Sequence, residues 1–411
     1  MARNTTGEIR FDPYDVDLVA DPYPVYRRLR DEMPLYYNEQ HDFFALSRYT
    51  NVEKALFDNK TFSSARGDIL EFIKADMEIP SGLIVAEDPP RHDIHRRLLS
   101  RMFTPRKISA LEPQIREFCV RSLDPLVGAG GFDFVTDFGA ELPMRVIGML
   151  LGFPDEDQLR SRDHANAILT TEAGQPMESA STGFDDGQLW ADYIDWRADN
   201  PSDDIVTELL NVQFEDEHGV TRHLERAELL MYVNMVALAG NETTARLIGW
   251  AAKVLAEHPD QRRELVADPG LIPQAVEELL RFEGPAPFVS RYVTRDVEYY
   301  GQQVPSGSVM TLLISSANRD DRQFGPDAEM FNIHRQNRSH IAFAVGAHFC
   351  LGAALARLEG RVALEEILKR FPEWDVDLSA ARMSTTSTVR GWETMPALTG
   401  EKSRHQADAR S

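Results

Sequence analysis

The 411-residue chain carries 66 acidic against 44 basic side chains, a formal charge of −22, with two cysteines and a hydrophobic share of 43%. A field of that sign repels polyanions and excludes a nucleic-acid binder, and Cys119 and Cys350 are too few for a disulfide framework and lie outside any CxxC pair. No apolar run reaches the ~18 residues of a membrane span, and the opening MARNTTGEIRFDPYDVD lacks the apolar core of a signal peptide, so a soluble, cytoplasmic globular protein is expected.

Along the chain, the lead Pro22-Tyr23-Pro24 opens a helix over Val25–Met33 that Pro34 stops. HDFFALSRYTNVEKALFDN reads as a strand and then a helix capped by Thr50 or Asn51. Residues 66–88 carry Ile69, Leu70, Phe72, Ile73, Leu83, Ile84 and Val85 without clean periodicity, the pattern of a loop lining an apolar cavity or of an irregular helix. From Pro89 to Leu265 apolar residues recur at three and four spacing and predict helix. The break at 170–187, TTEAGQPMESASTGFDDG, reads as a mobile connection and a candidate lid. The helix expected over 224–258 is long and apolar in its middle. Strands are expected at Val297–Val304 and Val309–Ile314, followed by an irregular polar stretch over 316–342 and a last helix just after Cys350. No repeat is visible and nothing between 200 and 370 reads as a linker, which predicts one domain over 1–411.

Three segments carry chemistry. In FAVGAHFCLGAALARLE, 343–359, Cys350 stands between Gly346 and Gly352 at the mouth of an Ala-rich helix. A lone buried cysteine is usually a small hydrophobe, but a helix N-terminus offers unpaired N–H groups and a positive dipole end that stabilise a thiolate. Glycines permit close backbone approach, and Ala353, Ala354 and Ala356 leave a low-relief face for a flat group. Thiolate-ligated haem meets these requirements. In VALAGNETTARLIGW, Gly240 and an acid–threonine pair interrupt an apolar helix; a glycine there costs about 1 kcal/mol relative to alanine. Thr243 bonded back to the carbonyl four residues earlier would loosen a groove at Ala239–Gly240, although a polar face turned outward explains the segment equally well. In AVEELLRFEGP, Glu278 and Arg281 stand three apart on one helix face, by themselves an ordinary ion pair.

Together these segments resemble the cytochromes P-450 of the soluble bacterial type, the haem-thiolate monooxygenases. FAVGAHFCLG is similar to the family's FxxGxxxCxG cysteine loop, AGNETT to its oxygen-activating helix, and the Glu278/Arg281 pair to its ExxR motif. Further similarity lies at DPYPVYRRLR, DPPRHDIHRRLLSRMFTPR, ANRDDRQFGPDAEMF and RGWETMPAL. Ala344 departs from the pattern, because many bacterial members carry glycine there. The resemblance implies a mainly α fold with small β-sheets, haem b as cofactor, and insertion of one atom of O₂ into an apolar small molecule. It makes Cys350 the axial iron ligand, its loop shaped by Phe343, Gly346 and Gly352, with Ala239 and Gly240 beside the haem. His92, Arg96, Arg291 and His348 are implied to hold the propionates. Thr243 is implied to hold the water that delivers protons and Glu242 to help relay them from solvent, and Glu278 and Arg281 to be structural, with Arg335 as a third member. Leu83, Ile84, Val236, Phe288, Val289 and Val389 are candidates to face the substrate, for which a lipid, terpenoid or steroid suits the apolar residues at 69–85.

The fragment 91–107 holds five Arg, one Lys and two His against a single acid, inside an acidic chain. The implied propionates account for Arg96. Arg97, Arg101, Arg106 and Lys107, joined by Arg357 and Arg361, form an expected docking face for an acidic ferredoxin, itself reduced by an NAD(P)H-dependent ferredoxin reductase. A peroxide-driven or non-oxygenating relative and a haem sensor or carrier are the alternatives; the acid–threonine pair speaks against them.

Overall fold

The computed structural model describes residues 7–76, 79–155, 157–160, 163, 171–177, 188–336, 339–386 and 389–399. The element on which the others pack is the helix Arg226–Glu257, the long helix. Its start is written in the sequence as a capping box: Glu225 accepts from the main chain of the first turn, and Glu228 accepts from Glu225 N at 2.9 Å. Helices Glu112–Leu123, Glu141–Leu151, Ile272–Phe282 and Ala353–Arg370 share one apolar core with it. Trp374 and Trp250 fasten the C-terminal strands and loop to this core, their indole N–H groups donating to the carbonyls of Ala252 and Arg390. No helix among the described residues is long and apolar enough to cross a membrane.

A five-stranded sheet stands beside the helices, built from β1 (Leu35–Asn38), β2 (Phe43–Leu46), β3 (Phe62–Ser63), β4 (Val289–Val293) and β5 (Val309–Leu312), in the spatial order β1-β2-β5-β4-β3. The β2 and β5 strands pair in parallel, and β4 runs antiparallel to β5 with Arg291 opposite Met310. That register fixes Arg291 in the sheet. A buried carboxylate joins the N-terminal and C-terminal parts of the chain to the helices. Glu283 accepts from Tyr23 Oη and Arg390 at 2.6 Å each and from Arg319 at 3.1 Å, tying the N-terminal helix Tyr23–Glu32 to the end of Ile272–Phe282.

Most expected elements are present within a residue or two, but local reading fails in three places. Helix Tyr49–Phe57 is capped by neither Thr50 nor Asn51; Asp320, remote in sequence, accepts from Tyr49 N at 2.9 Å. Residues 66–88 hold a short helix, Leu70–Ala75, and a single 3₁₀ turn, Ile84–Ala86. Strand β4 was hidden by the buried charge of Arg291, which breaks the apolar pattern. Of the candidate lid only 171–177 falls among the described residues, and that part is tied down at both ends. Thr171 and Thr385 exchange hydrogen bonds, and Met177 N donates to Glu71 Oε1 at 3.1 Å.

One buried acid sets a pH dependence. Glu359, on Ala353–Arg370, is almost fully enclosed, its Oε2 has no hydrogen-bond partner, and burial pushes its carboxyl from 4.5 up to about 8. A raised folded-state pKa means that the protonated carboxyl's contribution is complete below about pH 4.5 and is lost as pH climbs through 8, at roughly 1.4 kcal/mol per pH unit. Urea unfolding of Glu359→Gln should therefore remove a decline on the order of 4 kcal/mol between pH 5 and pH 8 that the unaltered protein displays. Parallel profiles for the two proteins would refute this.

Candidate active site

The cysteine loop is built by main-chain contacts. Gly346 adopts φ +74°, and a Cβ there would stand 3.0 Å from the carbonyl oxygen of Leu56, so the loop lies against the end of Tyr49–Phe57. Ala344 takes the left-handed region without being glycine, at φ +54°, a conformation costing an L-residue on the order of 1–2 kcal/mol. Cys350 N donates to the carbonyl of Phe343 at 2.9 Å, closing the loop. Phe343 lies beneath the Arg357 guanidinium, 4.5 Å from its ring centre.

Cys350 is exposed at the wall of a recess, yet protein surrounds it closely, and burial pushes its thiol up. Opposing that shift are the main-chain N–H groups of Gly352 and Ala353 near the sulfur and the charges of Arg96 and Arg357. Gly352 itself has an ordinary φ of −83°. On the long helix, Ala239 is exposed and Thr243 partly so, between turns that are otherwise buried. Thr243 Oγ1 donates to the Ala239 carbonyl at 2.9 Å, the back-bond that its position suggested.

A cationic cluster borders Cys350. The His92 and His348 rings lie 4.4 Å apart, and each has a buried Nε2 with no hydrogen-bond partner. His348 is pushed down to about 3 by burial and by Arg291, His92 and Arg96. Arg96 has no ion pair among the described residues and feels the Cys350 sulfur. Arg291 is buried and donates to its neighbour's carbonyl, with Asp68 and Asp88 close enough to oppose the effect of burial. Orphaned imidazole nitrogens among arginines are the donor set that two carboxylates would satisfy. With a thiol that can lose its proton to a metal, this set fits haem and its propionates.

Glu278 and Arg281 are fully enclosed. Arg281 bonds both Glu278 oxygens at 2.7 and 2.8 Å and the carbonyls of Asn318, Ala328 and Met330, while Arg335 approaches Glu278 at 3.3 Å. This is far from the ordinary surface pair that spacing alone describes.

Several expected residues lie elsewhere than supposed. Gly240, partly open beside Ala239, also serves the crossing of the long helix with Glu141–Leu151, because a Cβ would meet Ile147 Cδ1 at 2.3 Å. Glu242 is buried against Arg246 at 2.6 Å, and Arg246 also bonds Ser384 Oγ and the Trp392 carbonyl. Arg246 was missed, although its spacing of four from Glu242 was visible. Ile84 and Val236 are packed in the main core. Phe288 meets Phe11 edge-on and lines, with Val389, a crevice against the N-terminal segment. Leu83 and Val289 remain partly open. Of the basic face, Lys107 pairs with Glu208, Arg357 with Glu277, and Arg361 with Glu112 and Glu365. Arg97, Arg101 and Arg106 are exposed and have no ion pair among the described residues.

A thiol-bearing loop, a cationic cluster and a long helix with an acid–threonine pair define a haem-thiolate type of site. The cytochrome P450 family pattern matches residues 270–390. Cytochrome P450 123 of Mycobacterium tuberculosis is 38% identical over 394 residues, spanning 95% of this chain and 96% of its own length. A vitamin D(3) 25-hydroxylase of Pseudonocardia autotrophica is 35% identical over 98% of this chain and 100% of its own. The solved cytochrome P450 CYP109E1 from Bacillus megaterium, in complex with testosterone, is 28% identical with a TM-score of 0.84, covering 93% of this chain and 99% of that one. The chain belongs to the cytochrome P450 family and is a monooxygenase with the haem iron that the family carries.

Proposed function

We propose that the protein is a single-domain haem-thiolate monooxygenase that hydroxylates an apolar, steroid-sized molecule in the cytoplasm, using haem b held by Cys350. The observation that carries this reading is the Cys350 sulfur at the start of a helix, beside a cluster in which two buried imidazole nitrogens have no partner among the described residues. Haem bound there would supply electron storage and activation of O₂. His92, Arg96, Arg291 and His348 would take the propionates, and Ala239 would give the cofactor a flat wall. Reduction with dithionite under carbon monoxide tests the ligand: a band near 450 nm is expected, and Cys350→His should abolish it. A band near 420 nm in the intact, folded protein would overturn the assignment.

Thr243 is assigned to hold, as acceptor, the water that delivers protons, and Glu242 to relay them from solvent. The ion pair to Arg246 means that Glu242 must leave a buried partner to serve as a relay, which places a gate on that route. Thr243→Ala should lower product formed per NAD(P)H on the order of tenfold, with hydrogen peroxide rising in its place. Unchanged coupling would remove Thr243 from this role.

The steroid-sized substrate is supported by the vitamin D(3) 25-hydroxylase and by the testosterone complex among the relatives. Electrons are assigned to a ferredoxin docking near Arg97, Arg101 and Arg106, which are exposed and without an ion pair among the described residues, with a ferredoxin reductase upstream. Raising salt from about 0.05 to about 0.5 M should slow reduction several-fold, and Arg101→Glu should slow it at low salt; salt-independent reduction would refute the docking face.

A further inference from the structure

One buried polar cluster serves none of these roles. It lies where residues 81–88 enter the helix Arg91–Ser100. Glu87 is 6% exposed and His95 1%. The Glu87 carboxylate accepts from His95 Nδ1 at 2.7 Å and from Gly82 N at 3.0 Å, and its main chain lies beside the ring of His348. On the far side, His95 Nε2 stands 3.8 Å from Glu228 Oε1 on the first turn of the long helix. Glu228 is neutralised by Arg222 at 2.7 and 2.9 Å and accepts from Ser81 Oγ at 3.1 Å. The ring of Tyr232 closes the cluster edge-on to His95, 5.6 Å between centres. The main chain is equally close: Gly82, at φ +97°, has no room for a Cβ, which would stand 2.9 Å from the Glu228 carbonyl oxygen.

Apolar packing would hold a loop here without burying two carboxylates and an imidazole, which is expensive unless each finds partners. What directional bonds add is a fixed position. The segment so fixed carries Leu83, half-buried, and Val85, 36% exposed. It lies at Glu87 beside His348 of the cysteine loop and is packed at Gly82 against the long helix, the two elements that bound the candidate site.

We propose that Glu87 and His95 are positioning residues that hold Ser81–Glu87 as a rigid rim of the ligand chamber, so that Leu83 and Val85 present a preformed surface to large ligands. This rests on the reading that haem and substrate occupy the chamber beside Cys350. The holoenzyme is titrated with imidazole, which reaches iron without needing the rim, and with clotrimazole, which is large enough to press on it, each followed by the shift of the haem band. Glu87→Ala and His95→Phe should weaken clotrimazole about tenfold and leave imidazole within about twofold. His95→Gln, which keeps an N–H for Glu87, should bind both azoles as the unaltered protein does.

Equal weakening of both azoles, or a lower thermal midpoint with both affinities unchanged, would overturn the proposal and leave the pair a role in stability alone. If the first two variants fail to retain haem, hydrogen exchange of the unaltered holoenzyme decides. The Gly82 amide should exchange at least about 100-fold more slowly than unbonded surface amides, and loop-like exchange there would overturn the rim. Failure of the unaltered protein to bind imidazole at all would instead overturn the haem site.

Discussion

The placement of Cys350 depends on a charge that water cannot reach. Arg281 is enclosed completely, and each of its bonds goes to a partner that must be in place: both oxygens of Glu278 and three carbonyls of the irregular stretch after β5. Asn318, one of the residues whose carbonyl accepts from Arg281, uses its side-chain oxygen to accept from Ile341 N at 2.8 Å. The Ile341 carbonyl then accepts from Ala344 N, and that of Phe343 accepts from Cys350 N. Hydrogen bonds and the short stretches of chain between them therefore link a helix interior to the main chain of Cys350. Removing one partner of such a buried pair leaves an uncompensated charge, typically at a cost of about 3–5 kcal/mol, so the irregular stretch keeps its shape without regular secondary structure.

What the sequence made legible was chemistry fixed by near neighbours. The cysteine loop, the long helix and the ExxR spacing are short patterns, and helix ends such as the capping box at Glu225 are signalled within a turn. What stayed hidden is pairing across the chain. The helix crossing at Gly240 was invisible because nothing in VALAGNETTARLIGW mentions Ile147. Asp320 capping Tyr49 from 271 positions away leaves no local trace, and β4 escaped because a buried arginine interrupts its apolar run. The site was readable as a set of residue types; which atom meets which was not.

The charge balance follows the same division. Counting cations along 91–107 marks a basic segment correctly, but the count says nothing about which of them are already answered. Glu208, Glu277, Glu112 and Glu365 silence three of the six supposed docking residues. A surface pair of this kind contributes little to stability, yet it removes a long-range field, so the same acids that give the chain its net charge also narrow the positive patch to a few arginines of one segment.

The back-bond of Thr243 gives the chamber a polarity. Its single hydroxyl proton is already committed to the Ala239 carbonyl, so the oxygen turns only lone pairs towards whatever stands beside it. A neighbour must arrive hydrogen-first. The helix thereby orders the direction of any hydrogen-bonded chain that ends there, and a side chain of similar size but opposite donor sense would reverse that chain without changing the volume available.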